Sequence, residues 1–362
     1  MNLSHKSSPG FLRTSLAAAM TMKLKPGVFY RDGRLHCLNL LLTYPEGCRA
    51  SCSYCGLSRG SHCDGEQSFI RVEWPSYPVE EIIARAREDR GCFERVCLSM
   101  IMHPRAVEDS IELVGRFRRE IGLPVSVLVN PSTLHDGDFE ALLDAGAEMA
   151  TVAIDAATEK LFNRHRGEGV KGPHKWNDYW KALGEASLTF GRGRIGVHLI
   201  AGLGETEQQM VETIQRVRGY GGSTHLFSFY PEPGSLLEKS RPCPADHFRR
   251  IQLARFLIDS DMVVVGQMEF DSESRIIDFG LRGAEIDDIV EQGIPFMTSG
   301  CPGKTMKCAC NRPFGDGPPS DIRSYPFQPG LEDIQRLRKQ MATYCMKTKT
   351  MVTSAARTAM KP

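Results

Sequence analysis

Charge of either sign is nearly balanced in this chain, with 45 Lys and Arg against 44 Asp and Glu. A net charge of +1 builds no broad basic field, so nucleic acid is not an expected partner. No apolar run reaches the length of a bilayer-spanning helix, and no membrane partner is expected. Met1 to Met22 is rich in Ser and Ala but lacks a continuous apolar stretch, so no signal peptide is expected. No internal repeat of solenoid length is present. Cysteine, by contrast, is plentiful, with twelve residues. Without an export signal these point to reduced thiols and metal binding in the cytoplasm, not to disulfides.

The 362 residues suffice for one large α/β domain and a smaller module. Apolar strand-like runs alternate with amphipathic helical patterns. The strands are expected at Leu38–Tyr44, Arg95–Met100, Val125–Asn130, Met149–Ile154, Ile195–Ile200 and Thr224–Phe229. Helices are expected at Val79–Arg87, Arg105–Ile121, Asp138–Ala145, Trp176–Phe190, Glu205–Gly219 and Pro244–Asp259. Six such alternations imply a parallel sheet covered by helices and curling into a partial (β/α)6 barrel. An open doubly wound sheet would carry a Gly-rich phosphate turn after its first strand, and here that turn carries cysteines. Four segments are expected: an N-terminal extension (1–35), the barrel core (36–260), a C-terminal extension (261–345) and a disordered basic tail (346–362). In the C-terminal extension a strand and loop (Met262–Gly280) and helices at Ala284–Gln292 and Leu331–Lys339 frame a long Pro/Gly-rich loop, Cys301–Pro329.

The loop after the first strand reads Cys48-Arg49-Ala50-Ser51-Cys52-Ser53-Tyr54-Cys55. Three thiolates this close can hold three irons of a [4Fe–4S] cube and leave the fourth iron open. A structural zinc site is the plainer alternative, but zinc wants a complete set of four ligands and no complement sits beside this loop. The segment resembles the signature of the radical S-adenosylmethionine (SAM) superfamily, including Tyr54 ahead of the last cysteine. That resemblance implies Cys48, Cys52 and Cys55 as catalytic cluster ligands, SAM as co-substrate, and loss of its C–S bond to one electron.

The same resemblance extends from Leu38 to Glu238 and implies further SAM contacts. Asp155, with Arg166 in Arg164-His165-Arg166-Gly167, matches the segment that holds ribose and methionine carboxylate. Asp155 read alone is equally a helix N-cap. His198, Gly202 and Gly204 at the fifth strand's end, and Pro231 after the sixth, match the adenine side. Ser99-Met100-Ile101-Met102-His103 stands where the superfamily often has Gly-Gly-Glu, so Ser99 or backbone carbonyls take the amino group, and His103 reads as structural.

Cys301, Cys308 and Cys310 form a second cysteine set, expected to hold a second iron–sulfur cluster, with zinc the alternative and Ser324 a candidate oxygen ligand. Cys37, Cys63, Cys92, Cys97, Cys243 and Cys345 lie in no motif and read as structural thiols.

Cys55-Gly56-Leu57-Ser58-Arg59, Ser68 to Pro75 and Cys310-Asn311-Arg312-Pro313 resemble the second subunit of two-component lipoyl synthases. Single-chain lipoyl synthases carry a second cysteine trio ahead of the radical motif, whereas here only Cys37 precedes Cys48. The resemblance implies a sulfurtransferase of lipoate biosynthesis that inserts sulfur into an octanoyl chain. Its implied partners are a companion radical SAM subunit, the octanoylated lipoyl-accepting protein, and ferredoxin or flavodoxin as electron donor. The alternatives are a biotin-synthase-like enzyme for a small free metabolite, and a non-enzymatic electron carrier.

Overall fold

β-Branched and leucine-rich runs with few charges cannot stay half-solvated, and here they become strands covered on both faces. The computed structural model describes residues 6–61, 71–88 and 91–341. Cys63, Cys345, part of the 68–75 segment and the basic tail lie outside them. Strands β1 (Phe11–Thr14), β2 (Cys37–Leu42), β3 (Ser76–Pro78) and β4 (Arg95–Ser99) are followed by β5 (Val125–Val129), β6 (Ala147–Asp155), β7 (Ile195–Ala201) and β8 (Ser223–Ser228). They form one sheet in the order β3-β1-β2-β4-β5-β6-β7-β8. From β2 to β8 every pairing is parallel, so the six expected strands are all present and in sequence. Every residue of β2 is buried. β3 and β8 are the ends of the sheet, so the barrel is partial and open.

Helices α1 (Leu16–Thr21), α2 (Val79–Glu88), α3 (Ala106–Glu120), α4 (Asp138–Asp144), α5 (Glu159–His165), α6 (Trp176–Phe190), α7 (Glu207–Gly219) and α8 (Ala245–Asp259) cover the sheet. In α3 the helical period puts Leu113, Val114 and Phe117 on the buried side and Arg116, Arg119 and Glu120 outside. Each such apolar side chain contributes about 2 kcal/mol on burial. None of the described helices is long and apolar enough to cross a membrane.

Two stretches add to the sheet or seal it. Within the N-terminal 35 residues, β1 runs antiparallel between β2 and β3, with Leu12 opposite Leu42 and Tyr77. Four residues with a polar Arg13 and Thr14 carry too little periodicity to announce a strand. After α8 come a small hairpin, β9 (Glu269–Phe270) with β10 (Ile276–Asp278), and helix α9 (Gly283–Gln292). The cysteine-bearing loop then returns under the sheet. Arg95, the first residue of β4, donates to the Pro302 carbonyl and to Ser126 Oγ at 2.9 Å. The loop therefore closes the amino-terminal ends of the strands, opposite the Cys48–Cys55 loop that leaves the carboxyl end of β2.

Candidate active site

Backbone hydrogen bonds from three directions fold the Cys48–Cys55 loop over the strand ends. Arg49 N–H reaches Met102 O at 2.9 Å, Ser53 N–H reaches His165 O at 2.8 Å, and Leu237 N–H reaches Ser53 O at 3.0 Å. The side chains of Ser53 and His165 meet at 2.8 Å. So tied, Cys48, Cys52 and Cys55 all line one cavity of about 250 Å3. Burial raises all three thiols above the ordinary range, and the proximity of Cys48 and Cys52 raises Cys55 further. Adjacent positive charge, above all a metal, converts such thiols to thiolates. Three inward-facing thiols at the carboxyl ends of parallel strands thus fit an iron–sulfur cube.

Asp155 ends β6 in the left-handed region, with φ +64°, where the register with β7 slips. This turns its carboxylate into the cavity. Tyr54 Oη donates to Asp155 Oδ2 at 2.6 Å, and Arg166 Nη1 lies 3.0 Å from the same oxygen. Arg166 also donates to the Ala153 carbonyl and to Tyr179 Oη at 3.2 Å. Thr158, not Asp155, caps α5 by accepting from Leu161 N–H. The N-cap alternative for Asp155 is thereby removed.

At the end of β7, Gly202 (φ +100°) and Gly204 (φ +114°) turn the chain where a side chain is strained. An added Cβ on Gly202 would stand 2.5 Å from that of Cys243. Glu205 secures this turn, accepting from Gly202 N–H at 2.6 Å and Leu203 N–H at 2.9 Å. His247 bridges Glu205 and Glu207 at 3.2 and 3.3 Å, and Arg250 closes on Glu207. Burial opposes a charge on His247, but those two carboxylates outweigh it and raise its pKa to about 9. No local pattern singles out His247, because its partners lie some forty residues away. Gly202, Gly204 and Pro231 sit outside the cavity wall, which takes Tyr230 and Glu232 beside Pro231. Ser99 and Met100 line the cavity, while His103 stacks on Tyr44 at 3.7 Å, a structural role.

The floor of the same cavity carries Cys310, Asn39, Cys97, His198, His225 and Arg312. His198, matched above to the adenine side, packs at a tilt against Phe227 at 4.9 Å and His225 at 5.4 Å. Burial, then His225, lowers its pKa to about 3, and Cys310 lies within electrostatic reach. Its place is thus among the second cysteine set rather than at the β7 exit. Cys301, almost fully buried, lies 3.8 Å from Thr151 Oγ1 and 4.0 Å from His225 Nε2. Cys308 turns its thiol to the Cys310 carbonyl at 3.8 Å. The loop is closed by Ala309 and Cys310 N–H on Cys301 O at 2.9 and 3.1 Å. Ser324 donates to Asp316 Oδ2 at 2.7 Å, an ordinary buried hydroxyl bond. The cysteine spacing located this loop, whereas its seat inside the strand ring had no local signature.

Comparison with known proteins accords with this geometry. Residues 42–217 match the family model described as the Radical SAM superfamily. A biotin synthase from Saccharopolyspora erythraea is 27% identical over 66% of this chain and 65% of its own length. One from Nocardioides sp. is 25% identical over 67% of this chain and 63% of its own length. The chain thus spans just under two thirds of these curated relatives. Among solved structures, Streptococcus suis SuiB is similar at a TM-score of 0.46, with 13% identity over 64% of this chain and 48% of that one. The thiol loop and the parallel sheet agree with that match: residues 42–217 of this chain are similar to the Radical SAM superfamily domain.

Proposed function

We propose that this chain is a radical SAM sulfurtransferase that inserts sulfur into an unactivated carbon of an octanoyl chain borne on a lysine of a lipoyl-accepting protein. One observation carries the reading: a single cavity is bordered by Cys48, Cys52 and Cys55 at one end and by Cys310 at the other. Between them the wall is largely apolar, with Leu41, Leu57, Met100, Ile101, Ile200 and Phe227. An alkyl chain loses hydration favourably there, and polar substrates gain little.

A cube on Cys48, Cys52 and Cys55 supplies, when bound, an open iron for the amino and carboxylate groups of SAM and the electron that splits SAM into methionine and a 5′-deoxyadenosyl radical. Around it, Asp155 offers its remaining carboxylate oxygen to ribose hydroxyls while Arg166 and Tyr54 hold its orientation. The apolar wall excludes water that would quench a radical. The radical would take a hydrogen atom from the substrate to give 5′-deoxyadenosine, and a second cluster held at Cys310 would serve as the sulfur substrate, its sulfide exchanging a bond to iron for one to carbon with one electron passing to iron.

The proposed partners are a companion radical SAM subunit and a small reductant such as ferredoxin or flavodoxin. A second reading, action on a small free metabolite, is favoured by the relatives named biotin synthase. Mass spectrometry separates the two. Reduced protein, SAM and the companion subunit are expected to add sulfur mass to an octanoyl-lysyl peptide. Deoxyadenosine release with no sulfur on that peptide would favour the free metabolite. No deoxyadenosine at all would remove both readings.

A further inference from the structure

We infer that Cys37 on β2 and Cys97 on β4 are donors of the second iron–sulfur site, alongside Cys310 of the C-terminal loop. This inference rests on the proposed function for the existence of that second cluster.

By motif, Cys37 and Cys97 look like ordinary core thiols. The register of the sheet says otherwise. Cys97 stands opposite Asn39 in the parallel β2–β4 pair, and Cys37 precedes Asn39 by two residues. Period-two alternation therefore puts Cys37, Asn39 and Cys97 on one face, the face toward the cavity. Asn39 and Cys97 both line it. Cys310 comes up against this face, lining the cavity beside Cys97 and within electrostatic reach of the Cys37 and Cys97 thiols. Asn39 Nδ2 reaches the Cys310 sulfur at 3.7 Å. Residues from three distant parts of the chain thus come to one face of the sheet.

The placement is enforced. Asn311 accepts from His36 N–H at 2.9 Å and donates to Arg34 O at 2.7 Å, stitching the loop to the residues just ahead of Cys37. Gly300 lets the loop pass Cys310, since an added Cβ would lie 2.2 Å from the Cys310 carbonyl oxygen. Two buried polar atoms beside the sulfurs, Asn39 Oδ1 and Arg312 Nε, have no hydrogen-bond partner. An N–H such as that of Arg312 is a donor to cluster sulfur, the kind of contact that tunes these centres. Cys308 turns its thiol to the Cys310 carbonyl.

The test is iron and sulfide per chain after anaerobic reconstitution, with the electron paramagnetic resonance (EPR) change on adding SAM as a check on the first cluster. Wild type is expected to hold more than the four irons of one cube. The Cys37→Ala/Cys97→Ala variant is expected to fall to about four while keeping its SAM response. A Cys92→Ala control, at an exposed thiol, should match wild type. Retention of the wild-type iron content by the double variant overturns the inference and leaves the proposed function standing. Wild type with only about four irons overturns both, because no second cluster then exists. If the alanine variant loses all its iron, the single Cys37→Ser and Cys97→Ser variants decide. A serine ligand shifts the Mössbauer spectrum of the second cluster, and an unchanged spectrum overturns the assignment.

Discussion

Arg166 and Asp155 form an ion pair with side chains only 7% and 12% exposed, so neither charge is solvated without the other. Losing one partner of such a pair costs about 3–5 kcal/mol. Arg166→Leu is accordingly expected to lower the urea midpoint by that equivalent and to weaken the spectral response to SAM. A stability change below about 1 kcal/mol would show that the pair is not closed in solution. His247 makes a second, pH-dependent contribution. Its folded pKa of about 9 lies above the ordinary 6.5, so the protonated form is favoured by folding. The stabilisation is complete below about pH 6.5 and is lost as pH rises through about 9, with an upper bound of about 3 kcal/mol. His247→Gln should flatten the stability profile across that window, measured by thermal melts in matched buffers. An equally steep profile in the variant would assign the titration elsewhere.

The exit of β7 into α7 shows how an element's start shapes the rim of the site. Thr206 caps α7 in a reciprocal box with Gln209, and Glu205 holds the backbone amides of Gly202 and Leu203. Thr206→Ala is expected to cost about 1 kcal/mol. Gly202→Ala should cost more than that, since the backbone is left-handed there and Cys243 fills the space a methyl would need. Its melting temperature should not recover in a Gly202→Ala/Cys243→Ser double variant, because the Cys243 Cβ remains. Full recovery would place the strain at the sulfur alone.

Across the molecule, the open sheet works as a tube with thiols at each end. At its amino end Asn311 bonds both Arg34 and His36, beside the tie of Arg95 to the Pro302 carbonyl. Removing a buried partner leaves a donor and an acceptor unsatisfied, at about 1–3 kcal/mol. Asn311→Ala is thus expected to reduce iron bound beyond the first cube and leave the SAM response intact. Loss of both in parallel would mean that the loop supports the whole domain rather than its floor.

The Cys48–Cys55 loop, the six parallel strands and helices such as α6, Trp176–Phe190, were legible because each depends on neighbours within a few residues. Cysteine spacing on one loop and helical or strand period are local, and a linear chain displays them directly. Strand β1 was not legible, since four half-polar residues gain their identity only from the edge they cover. Nor was the turn of Asp155 toward Tyr54 and Arg166, which follows from a register slip between two strands. The company of Cys37, Cys97 and Cys310 was least legible of all. Parallel pairing and a returning loop bring them together over more than two hundred residues, and long-range contacts of that kind carry no local pattern.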